Sequence, residues 1–171
     1  MTSYPDSYYA SSLDREKKYY PNLKDNYNCD ICVVGGGFSG LSTAIEAAKK
    51  GLKVILLEQN IIGWGASGRN GGQIWNDVSW GIEVIEKKYG IDHAKQLWNI
   101  SQSAVELIDQ RIAEFEIKCD KKNGGINAAT SVAKLKEYEK NCEYKLKTFN
   151  YDKLEVLDKL QTEKEIGSSV Y

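Results

Sequence analysis

The sequence contains few features that would place the protein in a membrane or on a nucleic acid. No apolar run approaches the roughly 20 residues that a membrane-spanning helix requires. The 171-residue chain has a formal net charge of -1, and its lysines are spread along the chain without forming a basic patch. These absences predict that neither a membrane nor a nucleic acid is a partner. The polar, tyrosine-rich residues 1–27 lack the apolar core of a secretory signal, so the expected compartment is the cytoplasm.

Histidine and cysteine, which supply many metal sites, are also scarce. His93 is the only histidine, and the cysteines are Cys29, Cys32, Cys119 and Cys142. Cys29 and Cys32 have the spacing C-x-x-C, but a zinc site needs further ligands at matching spacing, and the other two cysteines stand far apart. We therefore predict no metal site. We interpret Cys29 and Cys32 as small apolar-like residues on opposite faces of a strand, and His93 as a solvated residue in the first turn of a helix.

Two apolar segments flank a helix-forming segment, which is typical of a parallel α/β unit. Residues 29–34 form a short apolar run that ends at a glycine, and residues 53–58 form a second run. Between them, residues 39–50 are rich in alanine, and Gly51 is expected to end the helix. Continuous apolar strands of this kind belong to parallel sheets, because both of their faces are covered. The sequence therefore predicts an α/β fold with a βαβ unit over residues 29–58.

The rest of the chain is predicted to be irregular at its start and mainly helical beyond this unit. Residues 1–27 show no sustained periodicity, and the glycine-rich residues 61–73 should form no regular element. The elements predicted further on are helices over residues 78–89, 92–118, 131–149 and 152–160, and a strand over residues 126–130. The predicted core stripe of the longest helix consists of Ala94, Leu97, Trp98, Val105, Ile108, Ile112 and Phe115. The charged residues 134–147 are predicted to form a solvated helix face, with Lys136 and Lys140 exposed.

Gly35, Gly37 and Gly40 form a G-x-G-x-x-G pattern between the first strand and the helix. In dinucleotide-binding units the first glycine permits a tight turn, the second lets the backbone approach a pyrophosphate, and the third allows close helix–sheet packing. The helix N-terminus then offers free N–H groups to the phosphates. Glu58 ends the second strand, where a carboxylate can accept hydrogen bonds from ribose hydroxyls and favours NAD or FAD over NADP. The alternatives are a glycine-rich turn of an unrelated α/β fold and, for Glu58, an ordinary surface acid.

A second glycine-rich segment, residues 63–73, has the sequence GWGASGRNGGQ and contains five of the fifteen glycines. One interpretation is a flexible loop, although such loops do not usually hold tryptophan and a lone arginine. The other is a segment that wraps a planar ligand, because glycines allow close backbone approach. Its hydrogen-bond donors would be Ser67, Arg69, Asn70 and Gln73. Trp64 and Trp75 flank the segment, where they could pack near the ligand or in a core, and of the two we expect core packing.

Together, the two glycine segments resemble the D-amino-acid-oxidase type of FAD-dependent oxidoreductase, and within it the gamma-glutamylputrescine oxidase group. The resemblance rests on VVGGGFSGL at residues 33–41 and GWGASGRNGGQ at residues 63–73, and it extends to SYYA at residues 7–10. It implies FAD as the cofactor, a small amine as the substrate and dioxygen as the electron acceptor. The implied reaction oxidises a C–N bond by hydride transfer to the flavin and produces hydrogen peroxide. The cofactor-binding residues that follow from it are Gly35, Gly37, Phe38, Ser39, Gly40, Glu58, Gln59, Ala66, Ser67, Arg69, Asn70, Gly71 and Gln73.

The family fold implies an FAD/NAD(P)-binding, Rossmann-like domain interleaved with an α+β substrate domain. The expected domains are an irregular lead-in (1–27), a βαβ unit with its flavin-contacting loop (28–77) and a helical region that begins the substrate domain (78–171). Members of the family are much longer, so we expect an N-terminal fragment with an incomplete fold, inactive alone, and a separate C-terminal half as a candidate partner. The alternatives are a non-catalytic remnant that retains a nucleotide-binding fold, and an NAD-binding protein.

Overall fold

The structure, a computed structural model, describes residues 3–12 and 20–170. The chain forms two compact units, Met1–Gln73 and Ile74–Tyr171. The domain limits derived from the sequence, at residues 28 and 78, stay a prediction. Among the described residues, none of the helices has the length and apolar character needed to cross a membrane. The same residues contain no group of three or more histidine, cysteine or acidic side chains that could hold a metal ion.

The first unit contains the predicted βαβ arrangement. Strand β1 (Ile31–Val34) and strand β2 (Val54–Leu57) pair in parallel, with Ile31 opposite Val54 and Val34 opposite Leu57. Helix α2 (Phe38–Lys49) connects them, and Gly51 follows it with a φ of +81°. The prediction of a βαβ unit is therefore confirmed. Within the described residues this sheet has two strands.

Both strands are shorter than the apolar runs that predict them. The carboxylate of Asp30 accepts the N–H of Lys53 at 2.8 Å, so at this end of the sheet a side chain takes the place of a backbone acceptor. Cys29 therefore lies outside β1, and Cys32 lies in the strand but is exposed. The interpretation of both cysteines as strand residues is wrong for Cys29. The covers that two apolar strand faces need are incomplete, as expected for an incomplete fold: Val33 is buried but Val34 is 83% exposed, because two strands and one helix cover a single face.

The N-terminal residues are more regular than the sequence predicts. Helix α1 covers Tyr8–Ser12, where no element is expected. The Ser7 hydroxyl accepts the N–H of Ala10 at 3.4 Å and the Ser7 carbonyl accepts the N–H of Ser11 at 3.0 Å, which is the capping that a serine provides. The prediction of an irregular lead-in is wrong at α1, and its residues 13–19 lie outside the described residues. Residues 61–73 are irregular apart from a 3₁₀ turn at Ala66–Gly68.

The second unit consists of four helices. They are α3 (Ile82–Tyr89), α4 (Ile91–Glu114), α5 (Val132–Phe149) and α6 (Lys159–Ile166). The buried core consists of Ile82, Ile85, Ala94 and Trp98, and the partly buried side chains packed against it are Val78, Tyr144, Phe149 and Tyr151. The Trp98 ring stacks on Phe149 with ring centroids 4.7 Å apart. Aromatic packing therefore dominates this core.

Several sequence-based element limits in this unit are wrong. Helix α3 begins at Ile82, four positions later than predicted, because Gly81 has a φ of +79°. Helix α4 ends at Glu114, before Glu116, which has a φ of 49°. Residues 126–130 form no strand. Residues 152–157 are irregular, and the last helix instead starts after Asp158, whose side chain caps the N–H of Gln161.

The core stripe of α4 and the charged face of α5 are confirmed only in part. In α4, Ala94 and Trp98 are buried, while Leu97 and Ile108 are 36% and 37% exposed, and Phe115, directly after the helix, is 50% exposed. The physical reason is the difference in length between the two helices. Helix α3 has 8 residues and α4 has 24, so α3 covers only the first turns of α4. On α5, Lys136 and Lys140 are exposed as predicted. Lys145 is buried, which contradicts a uniformly solvated face.

Candidate functional site

The turn between β1 and α2 has the geometry that the first glycine pattern predicts. Gly35 has a φ of +101°, a conformation that favours glycine, and its N–H donates to the carbonyl of Leu57 at 2.7 Å. A β-carbon on Gly40 would overlap the carbonyl of Gly35 and lie 3.3 Å from Cγ1 of Val33. The absence of a side chain at Gly40 therefore allows α2 to start directly against β1.

The N-terminus of α2 is open to a ligand. Gly37 is the N-cap residue and makes no side-chain cap. The N–H of Phe38 donates to Oγ of Ser67 at 3.0 Å, while the N–H groups of Gly37 and Ser39 have no protein acceptor among the described residues. Free amide groups at the positive end of a helix dipole are a binding site for an anionic group such as phosphate.

Glu58 lies directly beside this turn. Its Oε2 accepts the N–H of Gly36 at 2.6 Å, and its Oε1 accepts the N–H of Asn60 at 2.8 Å. The Asn60 hydrogen bond and then the Gly36 hydrogen bond lower the pKa of Glu58 below its usual 4.5. An ionised carboxylate has about four lone-pair sites, so Glu58 can accept further hydrogen bonds from a ligand while it holds the turn.

Glu58→Gln is expected to remove part of the acid sensitivity of the folded state. A carboxyl group whose pKa is lowered by folding contributes stability above its unfolded pKa, and this contribution disappears as the pH falls through the folded pKa. The loss of unfolding free energy in the variant should therefore be largest near neutral pH and shrink below 4.5, the usual value for the group. Denaturant unfolding at several pH values measures it, with exposed Glu139→Gln as the control. A loss that stays constant down to strongly acidic pH would contradict the expectation.

The second glycine loop, residues 61–73, packs against the first turn. The N–H of Gly63 donates to the carbonyl of Gly36 at 2.9 Å. A β-carbon on Gly37 would lie 2.9 Å from Oγ of Ser67. The two glycine segments, separated in the sequence by α2 and β2, therefore meet at the N-terminus of α2.

Arg69 and Asn70 are held by their own loop. Nε of Arg69 donates to the carbonyl of Gly65 at 3.2 Å, and the guanidinium lies 5.3 Å from the centre of the Trp64 ring. The side-chain amide of Asn70 donates to the carbonyl of Ser67 at 2.9 Å and accepts the N–H of Gly72 at 2.8 Å. These contacts leave both side chains exposed, so their polar atoms remain accessible at the rim of the loop.

The structure brings some of the predicted site residues into contact with one another and leaves others apart. The turn, the helix N-terminus and the second loop unite Gly35, Gly37, Phe38, Gly40, Glu58 and Ser67 through the contacts above. Phe38 contributes its backbone N–H, since its side chain is 67% exposed. Arg69, Asn70 and Gly71 line an open cleft of ≈ 460 Å³. The remaining residues, Ser39, Gln59, Ala66 and Gln73, are exposed, and a ligand-binding role for the whole set stays a prediction.

Sequence reasoning missed the N-terminal residues that complete this region. The Tyr4 hydroxyl donates to the carbonyl of Ile62 at 3.0 Å, and Nε1 of Trp64 donates to the carbonyl of Ser3 at 3.1 Å. Trp64 is partly buried, whereas Trp75 is 57% exposed, so the expectation of core packing is wrong for Trp75. The tyrosine-rich composition and the resemblance at residues 7–10 were the signals in this segment, but neither identifies these contacts, because they span about sixty positions. His93 is exposed in the first turn of α4, as predicted.

Comparison with known proteins identifies the family. The family of FAD dependent oxidoreductases matches residues 30–169. The chain belongs to this family. It is 42% identical over 176 residues to "Gamma-glutamylputrescine oxidoreductase" of Escherichia coli (strain K12), covering 100% of this chain and 40% of that relative. It is 38% identical over 165 residues to "Probable oxidoreductase OrdL" of Haemophilus influenzae, covering 96% of this chain and 38% of the relative. No solved structure matches the chain.

FAD is the cofactor of this family, and the residues of this chain fit it. The free N–H groups of Gly37 and Ser39 suit a pyrophosphate, and the ionised Glu58 suits the ribose hydroxyls. The amide groups lie on the turn and Glu58 lies beside it, and a β-carbon at Gly37 would come within 2.9 Å of Oγ of Ser67. The donor and acceptor groups of the turn therefore match the anionic and hydroxyl groups of a dinucleotide.

Proposed function

We propose that the two glycine segments bind FAD. The amide groups at the start of α2 bind the pyrophosphate, and Glu58 and Gln59 bind the adenosine ribose. The second loop lies along the pyrophosphate and the flavin, through Ala66, Ser67, Arg69, Asn70, Gly71 and Gln73. The observation that carries this proposal is the uncapped N-terminus of α2, with Gly37 and Ser39 amides that have no acceptor in the described part of the chain, next to an ionised acid.

We further propose that the protein takes part in oxidising a C–N bond of a small amine of the gamma-glutamylputrescine kind, with dioxygen as the final electron acceptor. Support comes from the name of the Escherichia coli relative, a gamma-glutamylputrescine oxidoreductase. Bound FAD supplies the hydride acceptor for such a reaction. The chain's own contribution is binding and orientation: the helix N-terminus and Glu58 hold the nucleotide end, and the second loop determines where the ring lies.

The βαβ unit would then be the first part of a Rossmann-like domain, and residues 78–171 the helical start of an α+β substrate domain. The chain spans about 40% of the length of the two relatives that it matches over nearly its whole length. We therefore assign turnover to a protein that also contains the remaining segments, on the same chain or on a separate C-terminal half. No side chain of the present sequence is assigned as catalytic.

The test is titration of the 171-residue chain with FAD, followed by flavin fluorescence. Saturable binding with a stoichiometry near one is expected, and Glu58→Gln should weaken it about tenfold, because a hydrogen bond to a charged group is lost. Glu139→Gln, on the other unit, is the matched control. Binding of NAD but not FAD would overturn the assignment. Peroxide formation from gamma-glutamylputrescine, once the remaining segments are supplied, separates an oxidase from a remnant that only binds the nucleotide.

A further inference from the structure

The N-terminal segment Ser3–Ser12 is attached to the second glycine loop at three separate points. The Tyr4 hydroxyl reaches the carbonyl of Ile62 at 3.0 Å, and the Trp64 indole N–H reaches the carbonyl of Ser3 at 3.1 Å. A β-carbon on Gly72 would overlap the Tyr9 hydroxyl. The contacts are therefore distributed from the beginning to the end of the loop.

Besides the hydrogen bond that Gly63 donates to Gly36 and the one that Ser67 accepts from Phe38, the loop has few other means of holding its shape. Gly63 and Gly72 have φ values of +76° and +73°, and glycines in such conformations lose more backbone entropy on ordering than other residues. Its internal hydrogen bonds are local, such as that from Asn70 to Ser67. Contacts from outside the loop therefore have a large share in deciding whether it is ordered before a ligand binds.

The same segment also forms one wall of the cleft beside the loop. Ser7, Tyr8 and Tyr9 face Arg69, Asn70 and Gly71 across this ≈ 460 Å³ space. Tyr8 and Tyr9 contact each other edge to face, with ring centroids 5.5 Å apart. Tyr8 is 78% exposed, so the apolar surface of its ring is accessible in the cleft that Arg69 and Asn70 also line.

We propose that Ser3–Ser12 is a positioning element of the FAD site, which orders the second glycine loop and closes the outer side of the cleft at Arg69. This inference rests on the proposed FAD-binding function of the loop. Tyr4 and Tyr9 act through the loop and are positioning residues. The nucleotide end of the site lies at Gly37 and Glu58, and the segment makes no hydrogen bond to either residue within the described chain.

Because the N-terminal segment contacts the second glycine loop and not the nucleotide end of the site, two ligands can separate its effects on the two parts. The experiment titrates the 171-residue chain, its variants Tyr4→Phe and Tyr9→Ala, and a variant that lacks residues 1–12. The two ligands are FAD and ADP, which lacks the flavin half. We expect FAD to bind about tenfold more weakly to the truncated variant and several-fold more weakly to the point variants, while ADP affinity changes by less than about twofold. Tyr27→Phe, at a tyrosine that is 60% exposed, is the matched control.

Hydrogen–deuterium exchange in the absence of any ligand provides the second measurement. We expect faster exchange at residues 61–72 in Tyr4→Phe and in the truncated variant, with unchanged exchange in α2. Unchanged exchange of the loop would overturn the inference, and so would an equal loss of FAD and ADP affinity, which indicates general destabilisation. Wild-type protein that binds neither ligand contradicts the proposed function instead, and the exchange of the loop then still decides whether the segment orders it.

Discussion

Gly40→Ala is expected to abolish FAD retention and to lower the free energy of unfolding by at least about 2 kcal/mol. A β-carbon at Gly40 would overlap the carbonyl of Gly35. The position of the β-carbon is fixed by the backbone and the carbonyl oxygen belongs to the backbone, so the overlap cannot be relieved by a side-chain rotation, and α2 must move away from β1. That movement would displace the N–H groups of Gly37 and Ser39, which we propose bind the pyrophosphate.

Gly65→Ala is the matched control for this substitution. Gly65 has a φ of -77° and no atom within 4 Å of an added β-carbon, so the same chemical change should leave the unfolding free energy within about 0.5 kcal/mol of the wild type. Denaturant unfolding and flavin content after desalting measure the two variants. Wild-type stability in Gly40→Ala would show that the turn can relax, and would contradict the role of Gly40 in helix–strand packing.

Asp77→Ala is expected to lower the free energy of unfolding of the second unit by about 3 kcal/mol. Nζ of Lys145 lies 2.6 Å from Oδ2 of Asp77, and the two side chains are only 11% and 26% exposed. The ammonium group also lies 5.6 Å from the centre of the Trp98 ring, a favourable but weaker contact. Removal of Asp77 would leave a positive charge among aromatic side chains without a counter-ion.

Lys145→Met and Glu143→Ala complete this experiment. Lys145→Met should cost less than Asp77→Ala, because the remaining carboxylate still accepts the N–H of Val78 at 2.7 Å and keeps access to water. Glu143 pairs with Lys147 on the surface, with side chains 70% and 76% exposed, so its removal should change the unfolding free energy by less than about 1 kcal/mol. Chemical denaturation measures all three. Equal losses of unfolding free energy in Asp77→Ala and Glu143→Ala would contradict the expectation that the buried Asp77–Lys145 ion pair matters more for stability than the surface pair.

The core of the site was accessible to sequence reasoning because its requirements are local. Gly35 and Gly40 serve a turn and a close packing contact within six positions of each other, and Glu58 follows directly after β2. Turn conformation and helix start depend on the residues at those positions. The pattern therefore predicted the βαβ unit with its strands in parallel, and the resemblance supplied FAD as the family's cofactor.

Element limits beyond this unit could not be read with the same accuracy. Residues 126–130 have strand-like composition, but the structure pairs them with no partner strand. The helix predicted over residues 152–160 is wrong for residues 152–158, because the cap at Asp158 places the start of the helix at Lys159. A strand forms only beside a partner strand, and the periodicity of one segment does not identify that partner. Alternative first residues of a helix differ by small capping free energies, so the sequence does not decide sharply between them.

Sequence alone thus determined the glycine turn and the position of Glu58 after the second strand, since each depends on residues close together in the chain. Only the tertiary structure decided that Ser67 reaches the N-terminus of α2, that Tyr4 attaches the N-terminal segment to Ile62, and that Lys145 is buried against Asp77. These contacts join residues 29, 58 and 68 positions apart. They depend on how the elements pack, which no local pattern contains.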